Sequence, residues 1–523
     1  MNRSVAHRRT GDMNQRSPLL PVTVAMVVGV LGVGAALAVG DLVAAFVDPD
    51  SSPFLAVGNT AIDLTPLPLK DFAVRTFGTY DKLVLLAGMG VFLLVAATAA
   101  GVLSRRRPLP GTVLAVLLGL LGVVAVLVRP NLTPVAVVAP AASLVAGVAV
   151  FRGLHRLAGG ADADGPSTSG RRAFLLGSLG TLVGIGLAGA GGRLLVGRVD
   201  VEGSRAKVTQ MLDNHKQPTV PTGADFASDG TPTFLTPNDK FYRVDTALSV
   251  PQLRAEDWTL RVHGLVEREL NLTFADVMAM NLVTRTITMT CVSNEVGGPY
   301  VSTANFTGVL LRDLLAVAGV KAGADQVLSS SVDGYSAGSP VSSVLDPRRD
   351  AMLAVGMNGQ ALPPEHGFPA RLVVPGIYGY ASATKWLKDI ELTTFAAKKQ
   401  YWVPRGYRER APVKTEARID MPQGLQSLPG GRVVVAGIAW AQTKGIAKVE
   451  LQMDGGPWQE ADLAVTVNAE TWRMWRKVYD LKPGTHTVIS RATDTGGYTQ
   501  TRDRVGPIPD GATGWHTIVF TTS

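Results

Sequence analysis

The residue best suited to chemistry is the single cysteine, Cys291, in the segment Thr288-Met289-Thr290-Cys291-Val292-Ser293-Asn294-Glu295-Val296-Gly297-Gly298. A β-rich run ends at the thiol and gives way to small and polar residues. That pattern places it at a strand-to-loop junction, where a rigid scaffold commonly presents functional side chains. A thiolate is a soft donor that suits a redox metal; a lone cysteine also suits the commoner role of a small buried hydrophobe. A second cluster is His366-Gly367-Phe368-Pro369-Ala370-Arg371, followed by Pro375-Gly376-Ile377-Tyr378-Gly379 and Lys385-Trp386. Arginine offers a two-pronged fork to a phosphate and glycine lets backbone approach closely, although the same residues also make ordinary turns with solvated cations. A third segment, Asp333-Gly334-Tyr335-Ser336-Ala337-Gly338-Ser339-Pro340, reads as a polar loop.

Two kinds of element must position these residues. Residues 205–398 mix strand-like runs (Trp258–Val262, Thr284–Thr290, Arg371–Val374) with helical ones (Phe274–Ala279, Leu310–Ala318), an α+β pattern. Residues 410–523 are nearly all strand-like, with Arg432–Trp440, Ala447–Met453, His486–Arg491 and His516–Thr521 separated by turns such as Asp454-Gly455-Gly456. About seven short strands in this stretch suggest an immunoglobulin-like β-sandwich. With one cysteine in the chain no intramolecular disulfide forms, and there is neither a CxxCH haem-attachment motif nor a cysteine set for an iron–sulfur cluster.

The first 200 residues are of another kind. The mean hydropathy of +0.20 averages a water-soluble part with five apolar runs, each near the roughly 20 residues that a membrane span needs: Leu19–Gly40, Leu83–Leu103, Val113–Val128, Val135–Val150 and Phe174–Val196. Basic residues flank them unevenly. Arg3, Arg8, Arg9 and Arg16, the Arg105–Arg107 triplet, and Arg152, Arg156, Arg171 and Arg172 fall on one set of connections. The positive-inside rule puts that set in the cytoplasm and everything after Val196 outside: a multi-pass anchor in the cell membrane with an extracytoplasmic catalytic domain. Because many of the cations behind the net charge of +8 sit there, nucleic-acid binding is not expected. Ser169-Gly170-Arg171-Arg172-Ala173-Phe174-Leu175-Leu176 resembles a twin-arginine export signal, although two arginines also suit a plain interfacial anchor. The Gly159–Gly170 stretch reads as a flexible linker. None of the seven histidines falls within these runs, His155 being placed in a loop, so no haem is expected in this chain.

Together the soluble segments resemble the sulfite oxidase family of molybdenum enzymes. The resemblance runs in order through Asn238-Asp239-Lys240-Phe241-Tyr242-Arg243, Cys291 with Asn294, Asp333-Gly334-Tyr335-Ser336, Met357-Asn358-Gly359, His366-Gly367-Phe368-Pro369, Arg371 and Lys385-Trp386-Leu387. It continues into the last domain with Val449-Glu450-Leu451, Asp454-Gly455-Gly456, Trp458 and Ala492-Thr493-Asp494. It implies a single pyranopterin (molybdopterin) holding molybdenum, with Cys291 as the protein's metal ligand. Cofactor contacts would fall to Phe241, Tyr242, Arg243, Asp333, Ser336, His366, Arg371, Ser382, Thr384 and Lys385. Tyr407 matches an active-site tyrosine. The last domain would serve homodimerisation, and electrons would pass to a separate partner.

The departures bear on the substrate. Members that oxidise sulfite line the anion pocket with three arginines, of which Arg243 matches one. Val296 stands five places after the cysteine, and Pro507-Ile508-Pro509-Asp510-Gly511 is shortened where a third would lie. Charge-assisted bonds run about 1.5–3 kcal/mol each, and Glu295 beside the ligand further disfavours a dianion. A small neutral oxygen donor or acceptor, such as a sulfoxide or N-oxide, fits better than sulfite. The competing readings are a sulfite dehydrogenase of the same fold, and a non-enzymatic membrane protein with a vestigial site.

Overall fold

The computed structural model describes residues 19–523 except 78–79, 130, 164–167 and 198. Arg3, Arg8, Arg9 and Arg16, used above to orient the chain, therefore lie outside the described residues. The chain divides into two compact units, Met1–Arg198 and Val199–Ser523.

The first unit is helical: α1 (Val22–Val47), α2 (Pro53–Leu64), α3 (Leu67–Phe77), α4 (Asp81–Leu103), α5 (Leu109–Leu127), α6 (Val138–Ala163) and α7 (Thr168–Val196). Among the described residues, five segments are long and apolar enough to cross a membrane: Val22–Val47, Asp81–Leu103, Leu109–Leu127, Pro134–Gly159 and Gly170–Leu195. The third and fourth are longer than their apolar runs. Pro110 sits in the first turn of α5, where its missing N–H costs nothing, and α6 carries Arg152 and Arg156, whose long stems can reach an interface.

Two expectations need correction, and one connection carries structure of its own. His155 lies within the fourth span rather than in a loop, and its Nε2 donates to Ser104 O at 2.7 Å. The Gly159–Gly170 stretch is helical at both ends, α6 continuing to Ala163 and α7 starting at Thr168. The connection from about Asp48 to Asp81 carries α2 and α3. Helices α1 and α4 meet at two glycines: a Cβ on Gly29 would strike Ala97 O, and one on Gly101 would strike Ala25 O. Small residues permit this backbone approach, as membrane helices commonly require.

The second unit begins with α8 (Val201–Leu212). Its α+β lobe contains β1 (Thr259–Gly264), β2 (Leu270–Thr273), α9 (Phe274–Met278), β3 (Leu282–Thr290), β4 (Val301–Leu310), α10 (Leu311–Ala318), β5 (Gln326–Ser331) and β6 (Ser336–Pro340). It continues with α11 (Val341–Val344), β7 (Met352–Met357), β8 (Gln360–Ala361), β9 (Arg371–Val373), α12 (Gly379–Ser382) and β10 (Leu387–Thr393). One sheet runs β2-β1-β10-β5-β6, with β1 and β10 parallel; the other runs β3-β4-β7-β8, with β9 also on β7. Both pack on one core that includes Leu260, Ile287, Phe306, Leu311, Leu353, Leu372 and Ile390.

The C-terminal lobe holds β11 (Glu416–Met421), β12 (Ser427–Leu428), β13 (Gly431–Trp440), β14 (Ile446–Met453), β15 (Trp458–Glu460), β16 (Asp462–Leu463), β17 (Arg473–Leu481), β18 (Gly484–Asp494) and β19 (His516–Thr522). Two sheets, β11-β13-β17-β16 and β12-β19-β18-β14-β15, enclose a core of Ile419, Val435, Trp475, Val449, Leu451, Val488 and Phe520.

This sandwich caps the free edge of β3, the strand that leads to Cys291. Asn468 Nδ2 donates to Thr286 O at 3.0 Å, Thr288 N to Glu470 O at 3.0 Å and Gln442 Nε2 to Thr288 O at 3.1 Å, while Trp472 N donates to Thr288 Oγ1 at 2.7 Å. An edge left bare would expose unpaired backbone groups; here the second lobe covers them.

Candidate functional site

Strands β3 and β4 pair antiparallel from Leu282↔Val309 to Thr290↔Val301, so their connection starts at Cys291. That loop is tightly bonded. Cys291 N donates to Tyr300 O at 2.9 Å, Asn294 N to Cys291 O at 3.1 Å, Tyr300 N to Asn294 Oδ1 at 2.8 Å, and Gly298 N to Glu295 O at 2.7 Å. The thiol is 7% exposed. Burial pushes its pKa up, while hydrogen bonds from Ser293 and the charge of Lys385 pull the other way. Asn294 Nδ2 is buried without a partner.

A cationic pocket adjoins the thiol. Arg371 opens β9 and is buried among apolar groups, its guanidinium 5.9 Å from the centroid of the Phe306 ring. One Nη1 donates to His366 O at 3.1 Å, Nε has no partner, and among the described residues no carboxylate pairs with it. Desolvation lowers its pKa to about 10. Lys385 Nζ lies 3.0 Å from Asp245 Oδ2, which also accepts from Arg243 Nε at 3.0 Å. Burial brings the Lys385 pKa down to about 8, although Asp245 opposes the fall. His366 Nε2 donates to Asn238 O at 3.1 Å, leaving Nδ1 as an acceptor. Burial, then Arg371 and Lys385, hold its pKa down to about 3, so the ring is neutral. Gly367, at φ +107°, sits where a Cβ would press on Lys385 Cα at 3.0 Å.

These groups converge. The Tyr242 hydroxyl is raised by burial and feels both Cys291 and Arg371, and its ring stacks on Phe241 at 5.4 Å. Phe241 in turn meets His366 edge-on at 5.4 Å. Tyr335, raised by burial, feels Asp333 and then Cys291; the Asp333 carboxylate accepts from Tyr335 N at 3.1 Å. Cys291, Tyr242, Arg371, Lys385, His366 and Asp333 thus surround one region.

The hydroxyls expected there are bonded within the protein. Ser336 Oγ accepts from Tyr401 N at 3.1 Å, Ser382 Oγ donates to Ile377 O at 2.9 Å, and Thr384 Oγ1 shares a 2.7 Å bond with Ser329 Oγ. Tyr407 stands in an aromatic cluster, 5.1 Å from Tyr380 and 5.2 Å from Trp402. Tyr380 feels Asp510, Tyr407 and Arg408. Glu295 lies half-buried on the cysteine loop.

The donor set fits an anionic cofactor. A buried guanidinium without a counter-ion carries a desolvation penalty of several kcal/mol, and Arg371 Nε and Asn294 Nδ2 are donors awaiting acceptors. Residues 247–402 match the family described as oxidoreductase molybdopterin binding domain. Rat mitochondrial sulfite oxidase is 30% identical over 292 residues, covering 47% of this chain and 53% of that enzyme. Chicken sulfite oxidase is 29% identical over 322 residues, covering 53% of this chain and 70% of the relative. The NADPH nitrate reductase of Emericella nidulans is 35% identical over 193 residues, covering 32% of this chain and 22% of that protein. The matched segment is similar to the molybdopterin-binding domain of sulfite oxidases. In this chain the matched segment surrounds a loop cysteine and a cationic pocket, and the chain spans only about half the length of the rat enzyme. Three residues escaped the sequence reading: Asp245, which pairs with Lys385, and Arg418 and His516, which meet the cysteine loop at Gly298 and Gly297. Asp245 had a local signal, being two residues from Arg243. The other two lie more than a hundred residues beyond Cys291 in the chain, and spacing could not bring them to its loop.

Proposed function

We propose that the second unit binds one molybdenum–pyranopterin and acts as an oxidoreductase that transfers an oxygen atom to or from a small substrate. The observation that carries this reading is Arg371: a buried guanidinium with a free donor and, among the described residues, no paired carboxylate, set in the region that holds Cys291. Cys291 is the metal's thiolate ligand. Arg371, Lys385 and Arg243 hold the cofactor's phosphate, and His366, Tyr242, Phe241 and Asp333 line its ring system. Ser336, Ser382 and Thr384 shape the cradle through backbone contacts, because their hydroxyls are bonded elsewhere. When bound, the cofactor supplies the two-electron change that accompanies oxygen transfer. The chain's own residues exclude water, fix the ring and set the charge around the thiolate.

Charge favours a neutral substrate. Val296 is buried where sulfite-oxidising relatives carry an arginine. In the shortened segment Asp510 accepts from Lys414 Nζ at 2.8 Å, so that cation is already neutralised. Tyr407 and Tyr380 form one wall of the substrate side, and Glu295 keeps it unfavourable to a dianion. A sulfoxide or N-oxide is the preferred class; sulfite is the alternative within the family. Electrons reach the site from a separate partner.

The spans anchor the chain in the cell membrane. The described basic residues Arg105–Arg107, Arg152 and Arg156 support a cytoplasmic face for those ends, which leaves the second unit extracytoplasmic. Arg171 and Arg172 at the start of α7 suit an export signal for a folded, cofactor-loaded domain. The C-terminal sandwich is of immunoglobulin-like type and suits homodimer contacts. Metal and pterin analysis of the purified full chain tests the proposal: about one molybdenum and one pterin per chain are expected, and their absence from protein made in a cofactor-producing host contradicts it. Addition of sulfite to the oxidised protein, followed by absorbance, separates the substrate classes: an unchanged spectrum is expected, and rapid reduction favours sulfite.

A further inference from the structure

We propose that the C-terminal sandwich does more than cover an edge: Arg418 and His516 are positioning residues for the loop that carries Cys291. Arg418 lies on β11, and its Nη1 donates to Gly298 O at 2.9 Å while its Nε donates to Asp420 Oδ1 at 2.6 Å. The guanidinium is thus fixed at one end by its own strand and grips the loop with the other. His516 opens β19, and its Nδ1 accepts from Ile419 N at 3.0 Å. That bond sets the tautomer, with the hydrogen on Nε2.

The imidazole fills a hollow that exists because residue 297 is glycine. Gly297 has φ +82°, and a Cβ there would collide with His516 Nε2. Gly298 is confined too, since a Cβ would meet Asn294 Oδ1 and Glu295 O at 2.9 Å. Burial, then Arg418 and Arg504, lower the His516 pKa to about 4, so the ring stays a neutral wedge. The loop is therefore held at its start by β3 and β4, whose edge Glu470, Trp472 and Gln442 cap, and at its far side by Arg418 and His516. A loop held at one end only could open locally without global unfolding; the second grip removes that freedom.

This inference rests on Cys291 being the metal ligand for its meaning, but its test does not require the metal. Cys291 is the chain's single cysteine, so a thiol reagent reports on it alone. The full chain, made in a host that lacks the pterin cofactor and purified in detergent, is treated with dithiobis(nitrobenzoate). His516→Ala and Arg418→Met raise the reaction rate about ten-fold or more, as expected when a local opening is released, at a temperature well below the melting point of each variant. Arg418→Lys, which still reaches Gly298 O, restores much of the protection. His486→Ala, four rungs along the same sheet and bonded to Asp454, leaves the rate as in the wild type. Gly297→Ala displaces the imidazole from the loop's side and gives the same acceleration, which keeps the test open if His516→Ala does not fold. A wild-type rate in the folded Arg418→Met and Gly297→Ala proteins overturns the proposal. Acceleration in these variants, with no molybdenum in the wild-type chain made in a cofactor-producing host, would sink the proposed function while leaving the positioning role intact.

Discussion

The Lys385 ammonium lies 3.0 Å from the Asp245 carboxylate, both side chains less than a tenth exposed, and Arg243 reaches the same oxygen at 3.0 Å. One carboxylate thus serves two cations, while among the described residues Arg371 has no carboxylate paired with it. The pocket is built with surplus positive charge for an anion to neutralise.

Replacing Asp245 by Asn leaves a buried ammonium without its partner. Breaking a buried pair from one side costs roughly 3–5 kcal/mol, so the cofactor-free protein should melt lower. Loading with the cofactor should narrow the difference, because its phosphate takes over the pairing. A variant that melts like the wild type without cofactor would contradict the shared-carboxylate account.

Arg371→Met should act in opposite directions on the two forms. Without cofactor, removing an uncompensated buried charge stabilises the fold by about 1–4 kcal/mol. With cofactor, the loss of the guanidinium fork abolishes retention. Melting curves and molybdenum content measured on the same preparations check this; a variant that is destabilised and still loads would refute it.

Acid should weaken the second unit through two histidines. Their folded pKa values, about 3 for His366 and about 4 for His516, lie below the ordinary histidine value near 6.5. The unfolded chain binds the extra protons first, so this stability is complete above pH ~6.5 and is lost as pH falls toward the folded values. Between pH 6.5 and 4.5 each contributes a loss of roughly 2–3 kcal/mol. Melting between pH 7 and 4.5 should fall less steeply for His366→Gln and His516→Gln than for the wild type. Parallel slopes would contradict the assignment.

Much of this was legible from local pattern. The alternation around Thr284–Thr290 and the polar residues after Cys291 placed the thiol at the end of β3, and the apolar runs located all five candidate spans. The ends of α5 and α6 were missed because Pro110 is tolerated in a first turn and Arg152 does not stop a helix. The linker reading of Gly159–Gly170 rested on composition, but Gly159 to Ala163 continue α6, whose preceding turns supply the hydrogen-bonded frame. Among site residues, Arg371, Lys385 and His366 stood out by type and by glycine-rich context. The inward bonding of Ser336, Ser382 and Thr384 did not, since a hydroxyl's partner depends on tertiary placement. Arg418 and His516 were invisible for the same reason: only the docking of one lobe on the other brings them to Gly297 and Gly298.

The most direct measurement is X-ray absorption at the molybdenum edge on the wild-type chain and on Cys291→Ser. The wild type should show three sulfur neighbours, two from the pterin and one from Cys291, and the variant should show two or no bound metal. Three sulfurs in both proteins, or no molybdenum in the wild type, would contradict Cys291 as the ligand and the account built on it.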